Sequence, residues 1–272
     1  MKIFRIIICG LFAAVTAVFL FFVITETIKT DKSVPVITLE SDMLDVSLKA
    51  DSEEMLKGVT AYDKKDGDIT DRVFVESISR FTKKGICNVT YAVCDNDNHV
   101  TKITRKIRFK DYHSPVITLN ESLCYSIYDV IDLTKTFTAT DCIQGDISNS
   151  ILLTSNASGM VAGVYNVSVT ATNKYGDSTT ESFPLIIDDT ISPAGPVIEL
   201  KQYSVNVKKG STVDFGSYIV SAADVFENDV TPSVRFETDA DLNKEGTYTV
   251  HYYAIDSSNN TGHAILVVNV GN

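Results

Sequence analysis

Between residues 34 and 272 one set of motifs is written three times, and a chain that repeats itself at this spacing folds as a series of like units. Pro35-Val36-Ile37-Thr38-Leu39 returns as Pro115-Val116-Ile117-Thr118-Leu119 and as Pro196-Val197-Ile198-Glu199-Leu200. Ala61-Tyr62-Asp63-Lys64-Lys65-Asp66-Gly67-Asp68-Ile69-Thr70 returns as Ala139-Thr140-Asp141-Cys142-Ile143-Gln144-Gly145-Asp146-Ile147-Ser148. Its third copy is Ala222-Ala223-Asp224-Val225-Phe226-Glu227-Asn228-Asp229-Val230-Thr231. Gly85-Ile86-Cys87-Asn88-Val89 matches Gly163-Val164-Tyr165-Asn166-Val167 and Gly246-Thr247-Tyr248-Thr249-Val250. The first and third copies keep one offset of 161 residues throughout, and the second needs a two-residue adjustment before Ala139.

Within each copy apolar and polar residues alternate with period two, the mark of half-buried strands. Tyr203, Val205 and Val207 share a face, as do Tyr248, Val250, Tyr252 and Ala254, and again Ala264, Leu266, Val268 and Val270. No segment after the N-terminus has a 3.6-residue period. Short strands split by Gly, Asn and Asp turns, in units of about 80 residues, predict an all-β chain of three tandem antiparallel Ig-like β-sandwiches. The expected repeats are residues 34–111, 114–189 and 195–272. Two short linkers join them, and Gly195 in the second is expected to act as a hinge.

Ile6 to Ile24 is nineteen residues without a charge. As a helix it spans roughly 28 Å, close to the hydrocarbon thickness of a bilayer. Lys2 and Arg5 precede it, so residues 1–5 are expected to be a cytoplasmic tail and residues 6–25 a transmembrane signal-anchor helix that exports everything downstream. The protein is then a single-pass cell-membrane protein with its C-terminal ectodomain outside. The alternative is a signal peptide cut after Val15-Thr16-Ala17, giving a secreted protein. Such a cut would leave seven consecutive apolar residues, Val18 to Ile24, on the mature N-terminus.

Composition narrows the function. A net charge of −11 excludes the basic patch that nucleic-acid binding needs. Five cysteines without Cys-x-x-Cys spacing exclude a zinc ribbon, and the four histidines are far apart in sequence. There is no Gly-x-Ser-x-Gly elbow or phosphate-binding glycine loop, and the expectation is a protein that is not an enzyme and carries no cofactor. His99, His113, His251 and His263 read as surface or strand positions. Without Trp the usual sugar-stacking platform is missing, although Tyr can replace it.

Two further features carry chemistry. Gly67, Gly145 and Asn228 share one turn position and are residue types that tolerate a left-handed backbone. Asp68, Asp146 and Asp229 follow as acceptors for turn amides, and Ile69, Ile147 and Val230 insert into the core. Asp63, Asp66 and Asp68, with Asp95 and Asp97 at a strand end, form a candidate calcium site of hard oxygen ligands. The competing reading makes them caps of backbone amides, and recurrence of the same turn where Gln144 and Asn173 replace acids favours it. Cys87 and Cys94 point to opposite faces of one strand and cannot pair with each other. Cys124 and Cys142 share the second repeat; a bridge between them and a full set of free thiols both remain open.

The order Pro-Val-Ile-Thr-Leu, Ala-x-Asp-x-x-Asp-Gly-Asp-Ile-Thr, Gly-x-Tyr-x-Val-x-Tyr and a strand-end Asp resembles the bacterial Ig-like repeat family. That module occurs in Gram-positive surface proteins and in an insecticidal crystal protein. The resemblance covers residues 34–271 and is strongest in the first copy. It implies a cadherin-like or polycystic-kidney-disease-like sandwich without catalytic residues. The expected role is a cell-surface stalk or binding and adhesion module, held to the membrane by its N-terminal helix and facing a surface protein or a glycan. The alternatives are a cell-envelope polysaccharide-binding protein and a secreted toxin-like Ig module.

Overall fold

The computed structural model describes residues 2–29, 32–157 and 161–271. Met1 of the expected cytoplasmic tail, and Ser158, Gly159, Met160 and Asn272 of the expected repeats, lie outside the described residues. The apolar run forms one helix, α1 (Lys2–Lys29), and its stretch Ile7–Thr25 has a mean hydropathy of 2.9 with no residue buried. Contacts divide the chain into two compact units, one ending at Asp111 and one beginning at Tyr112.

The first unit contains, after α1, strands β1 (Val36–Leu39) and β2 (Met43–Val46), the short helix α2 (Ser52–Met55), and β3 (Val59–Asp63) and β4 (Gly67–Asp68). The strands β5 (Phe74–Lys83), β6 (Ile86–Cys94) and β7 (Val100–Phe109) complete it. They form a small sheet β1-β3-β4 facing a larger one, β2-β7-β6-β5. The second unit repeats the plan twice. Its first sandwich has β8 (Val116–Leu119), β9 (Cys124–Ser126), β10 (Phe137–Asp141), β11 (Gly145–Asp146), β12 (Ile151–Ser155), β13 (Gly163–Thr172) and β14 (Ser178–Asp188). Its second has β15 (Val197–Leu200), β16 (Ser204–Lys208), β17 (Ile219–Ala223), β18 (Arg235–Thr238), β19 (Gly246–Ile255) and β20 (Thr261–Gly271). The larger sheets run β9-β14-β13-β12 and β16-β20-β19-β18.

The pairing is antiparallel except at one edge of each larger sheet. There β2 pairs parallel with β7, β9 with β14 and β16 with β20. The cause is the opening strand, which is broken after a few residues. Its first half pairs antiparallel in the small sheet, and its second half crosses over to the end of the large one. One chain segment thus ties both sheets of each sandwich together.

The Asp-Gly-Asp-Ile-Thr segment works as a clasp. Ile69 N–H donates to Ala61 O at 3.0 Å, Ile147 to Ala139 O at 2.9 Å and Val230 to Ala222 O at 2.8 Å. The next hydroxyl accepts from the same alanines: Ala61 N–H to Thr70 Oγ1, Ala139 to Ser148 Oγ and Ala222 to Thr231 Oγ1. Asp68, Asp146 and Asp229 accept from the amides of Thr70, Ser148 and Thr231 at 2.9–3.0 Å. Hydrogen bonds from the side chains and amides of these three residues hold all three carboxyls below the usual carboxylate range. Ile69 and Ile147 are then buried, and Val230 is partly buried against the third core.

Each sandwich closes over its own core, and one central position shows how far the contents vary. Arg105, Phe183 and Leu266 stand opposite Val89, Val167 and Val250 in their ladders. Phe183 and Leu266 are ordinary core residues. Arg105 is just as buried, and its guanidinium donates to the carbonyls of Lys57 and Met55 and to the Tyr91 hydroxyl at 2.8–2.9 Å.

The two sandwiches of the second unit are joined through β20. Ala264, Leu266, Val268 and Val270 fill its own core, as the alternation predicts. Ile265 and Val267, on the opposite face, belong to the core of the preceding sandwich together with Leu123 and Ile187. Ile265 N–H also donates to Ser122 Oγ at 2.9 Å. The ladder-equivalent residues are Thr104 and Lys106 in the first sandwich and Ser182 and Pro184 in the second.

The expectation of a hinge at Gly195 is corrected by this docking. Ser192 N–H donates to Thr261 O, Thr261 N–H to Ser192 Oγ, and Gly195 N–H to Ser192 O, all at 2.8–3.0 Å. A Cβ on Gly195 would lie 2.1 Å from Thr261 O, and one on Gly262 only 1.8 Å from Pro196 O. Glycine here permits close backbone approach, not freedom. The equivalents of Gly262 are Thr101 and Thr179, whose hydroxyls each donate to a proline carbonyl at 2.6 Å.

The turn position is also corrected in the third copy. Gly67 and Gly145 have φ of 78° and 76°, but there the positive φ of 64° falls on Glu227, not on Asn228. Asp224 Oδ1 accepts from the amides of Phe226 and Asn228, the second and fourth residues on, where Asp63 and Asp141 in the first two copies accept from the second and third; the turn keeps its length.

These features predict three outcomes. Gly262→Val should destabilise the second unit by about 1–3 kcal/mol through overpacking against Pro196, read as a lowered denaturation midpoint of the full chain; an unchanged midpoint would refute the close approach. Glu227→Gly should raise stability by about 1 kcal/mol by removing a left-handed side chain, whereas Gly67→Val should cost about 1–3 kcal/mol although it meets open space. In acid, the lowered pKa values of Asp68, Asp146 and Asp229 favour the ionised, folded state. Their contribution is therefore complete above the unfolded value near 4 and lost as pH falls through the folded values. Melting temperatures should fall below about pH 4, and the Asp146→Asn chain should fall less steeply; a steeper fall would contradict the assignment.

Candidate functional site

The five aspartates of the expected calcium site end up as acceptors in two neighbouring turns. Asp63 is buried, with Oδ1 accepting from the amides of Lys65 and Asp66 and Oδ2 from the Ser33 hydroxyl. Asp66 accepts from the amide of Asn96 at 2.8 Å and from its Nδ2 at 2.9 Å, with Arg72 Nη1 at 3.7 Å. Asp68 takes the Thr70 amide. Asp95 Oδ1 accepts from the amides of Asp97 and His99, and its Oδ2 lies 2.8 Å from His99 Nδ1. Asp97 pairs with Lys65 Nζ at 2.5 Å. Among the described residues these carboxylates bring no three ligand atoms within 4.8 Å of one another.

The other repeats show what the acids contribute. Gln144 Oε1 accepts from Lys174 N–H at 2.6 Å, the bond Asp66 makes to Asn96. Asn173 Oδ1 accepts from the amides of Tyr175 and Asp177, and Asp256 Oδ1 from those of Ser258 and Asn260, as Asp95 does. A neutral amide does the same work. The turns use an acceptor oxygen and not a negative charge, which is the amide-capping reading of these residues.

A second group of titratable side chains lies where the two sandwiches of the second unit meet. Cys124 comes from β9, Asp188 from the end of β14 and His263 from β20. Cys124 Sγ is 3.2 Å from His263 Nδ1, and Asp188 Oδ2 is 2.6 Å from the same nitrogen. The far nitrogen, His263 Nε2, is 3.0 Å from His251 Nδ1, and His251 Nε2 is 3.0 Å from Thr249 Oγ1. Tyr253 stacks on His263 with ring centroids 4.3 Å apart. Asp188 also accepts from the amide and hydroxyl of Thr190.

Burial dominates the electrostatics here. It pushes the Cys124 thiol well up, reinforced by the Asp188 and Asp129 carboxylates, and it lowers both His263 and His251. Burial works against ionisation of Asp188, but hydrogen bonds from Thr190 and His263 outweigh it and hold its pKa low. Thiol and carboxylate meet one ring nitrogen, whereas a nucleophilic triad places them on opposite nitrogens. The arrangement converges on a point; it does not relay a proton.

The histidines that lie far apart in the sequence are therefore partly gathered: His251 and His263 touch, and Cys124 joins them across 139 residues. All five cysteines are free thiols, so the Cys124–Cys142 bridge is not formed. Cys142 Sγ lies instead 3.2 Å from His113 O. The one local signal of this meeting was the unbroken apolar run Ala264–Val268, too long for a strand with one wet face. Elsewhere in the same sandwich as Cys124, a groove of about 580 Å³ is lined by Val130, Ile131, Leu133, Leu153 and Leu185.

Comparison with known proteins places the first sandwich. The chain is 26% identical over 235 residues to an uncharacterised 81.3 kDa protein of Acholeplasma phage L2, covering 82% of this chain and 31% of the relative's length. Among solved structures, the M60 catalytic domain of Clostridium perfringens ZmpB with its CBM51-1 and CBM51-2 domains is 15% identical. That match covers 88% of this chain and 31% of the other, with a TM-score of 0.25. Drosophila N-cadherin EC1-4 is 14% identical, covering 89% and 76%, with a TM-score of 0.23. Superpositions this weak carry no weight. Residues 37–109 match the model of the bacterial surface protein, Ig-like domain family. With its two facing sheets and Asp-Gly-Asp-Ile-Thr clasp, the first sandwich is a member of that family.

Proposed function

We propose that the chain is a non-enzymatic binding or adhesion module of a bacterial surface, held to the membrane by α1 with the Ig-like units on the outer side. The observation that carries this reading is the family of residues 37–109, a domain of bacterial surface proteins. Two others support it. The helix preceding that domain is apolar and unburied over Ile7–Thr25, a length that matches a bilayer. The turn carboxylates serve the fold, and the Cys124–His263–Asp188 contacts lack the order of a nucleophilic triad. Rigid sandwiches displaying loops suit binding, since the strands hold the loops in fixed positions.

The test has two arms. Protease added to intact cells expressing the full chain should remove the Ig-like units and leave a membrane fragment containing α1. Beads carrying the detergent-solubilised full chain should capture a protein or polysaccharide from bacterial envelope extracts saturably. Release of a soluble mature protein beginning near Val18 would overturn the anchor. Saturable turnover of peptide, ester or glycoside substrates would overturn the non-enzymatic role.

A further inference from the structure

We propose that Cys124, Asp188 and His263 form a binding site for one zinc-class divalent ion, which ties the two sandwiches of the second unit together. This goes beyond the surface-module reading and does not depend on it. The three donors are the thiolate, carboxylate and imidazole that suit a borderline-soft ion in tetrahedral geometry. Their ligand atoms lie within 4.8 Å of one another, the sole such set of three among the described residues.

The geometry favours an ion over a simple hydrogen-bond cluster. Without an ion, the single proton of His263 Nδ1 goes to Asp188 Oδ2 at 2.6 Å, and the Cys124 thiol, 3.2 Å away, finds no lone pair on that nitrogen to donate to. A cation between the three satisfies all at once. Tetrahedral coordination needs edges of about 3.6 Å for S···N and about 3.4 Å for N···O, so the observed 3.2 and 2.6 Å contacts must widen by less than about 1 Å. Binding replaces protons: Cys124 gives its thiol proton to solvent, and any proton on His263 Nδ1 leaves with it. A thiolate and a carboxylate then balance the two charges of the ion, so the partly buried site becomes neutral.

The surroundings accommodate the ligand in the form that an ion requires. With the proton of His263 on Nε2, that N–H donates to His251 Nδ1, and His251 Nε2–H donates to Thr249 Oγ1. The lone pair of His263 Nδ1 then faces Cys124 and Asp188. An outer hydrogen bond of this kind is what orients ligating histidines generally. Tyr253 holds the ring plane by stacking. Cys124 and His263 also line a cavity of about 280 Å³ with Ser126, Asp129 and Ser192, which leaves space beside the donors for a water ligand and for entry of the ion.

Among the described residues the set exists once. By ladder register, Cys124 is replaced by Asp45 and Asn206 in the other sandwiches, and His263 by Lys102 and Thr180. Two ligands come from one sandwich and the third from the next. An ion here therefore stabilises their docking, in the same place as the Ile265 and Val267 contacts.

The experiment uses the full chain in detergent with cobalt(II) as the spectroscopic probe. One equivalent should bind, giving a thiolate-to-cobalt charge-transfer band and tetrahedral visible bands, all displaced by zinc. Cys124→Ser should abolish the charge-transfer band, while Cys94→Ser and Cys142→Ser keep it. Zinc should raise the melting temperature of wild type and leave that of Cys124→Ser unchanged. Should Cys124→Ser fail to fold, zinc protection of Cys124 from alkylation in the wild-type chain, mapped by mass spectrometry, decides. Absence of stoichiometric cobalt binding, a band that survives in Cys124→Ser, or alkylation of Cys124 at the same rate with and without zinc would each overturn the proposal.

Discussion

A strand buried on both faces is the constraint on which the second unit depends. In a free sandwich the last strand of the large sheet can turn one face to water, and in the first unit Thr104 and Lys106 lie on the exposed outward face of β7. In β20 the same positions are Ile265 and Val267, both fully buried. Removing two such side chains from water is worth roughly 1.5–3 kcal/mol each, enough to make separation of the two sandwiches unfavourable. Once that face is committed, the neighbouring residues on it must also be dry. His263 and His251 are accordingly half-buried to buried, and their charged forms are disfavoured.

Close packing around that strand explains the chemistry of the connecting segment. Residues 192–196 run so near 261–263 that neither Gly195 nor Gly262 can carry a Cβ. A glycine in a linker reads as freedom when only the sequence is visible, because φ and ψ permissiveness is what glycine supplies in the absence of neighbours. Where backbone meets backbone, the same missing side chain supplies proximity. The distinction depends on what packs on the glycine, and that comes from residues about 70 positions away.

Much of the fold was legible in the sequence because its signals are local. The threefold recurrence, the alternation within strands and the Asp-Gly-Asp-Ile-Thr clasp each lie within a few residues, and the structure contains three sandwiches with that clasp in the same role. The third copy departs from the expectation because Asn228 aligns with Gly67, yet the Asp224 carboxylate reaches one residue further along a turn of the same length, and the left-handed residue sits one place earlier, at Glu227. Residue type gave the tolerance for a positive φ but not which amides the capping carboxylate takes. The mixed-donor cluster was invisible for a different reason. Cys124, Asp188 and His263 are 64 and 75 residues apart, and no pattern within one repeat contains any two of them in a recurring relation. Asp63, Asp66, Asp95 and Asp97, by contrast, lie close in sequence, and the structure shows their oxygens accepting from turn amides and from Lys65.

The same sandwich also accommodates an ion-like demand without an ion. At the central position where Phe183 and Leu266 fill two cores, the first sandwich buries Arg105. Among the described residues no carboxylate pairs with it. Instead its two terminal nitrogens meet the carbonyls of Met55 and Lys57, at and just beyond the C-terminus of α2, where helical carbonyls lack intrahelical partners. Tyr91 donates to the Met55 carbonyl as well and accepts from Arg105, with the guanidinium 5.2 Å from its ring centroid. In the third sandwich Tyr252 occupies the place of Tyr91 and donates to the carbonyl of Phe215 in the segment that crosses there. A tyrosine pinning a crossing segment is thus common to both, and arginine extends the pin where that segment ends in more unsatisfied carbonyls. Polar groups enter these cores where the crossing backbone leaves acceptors to be met, and apolar side chains fill the position elsewhere.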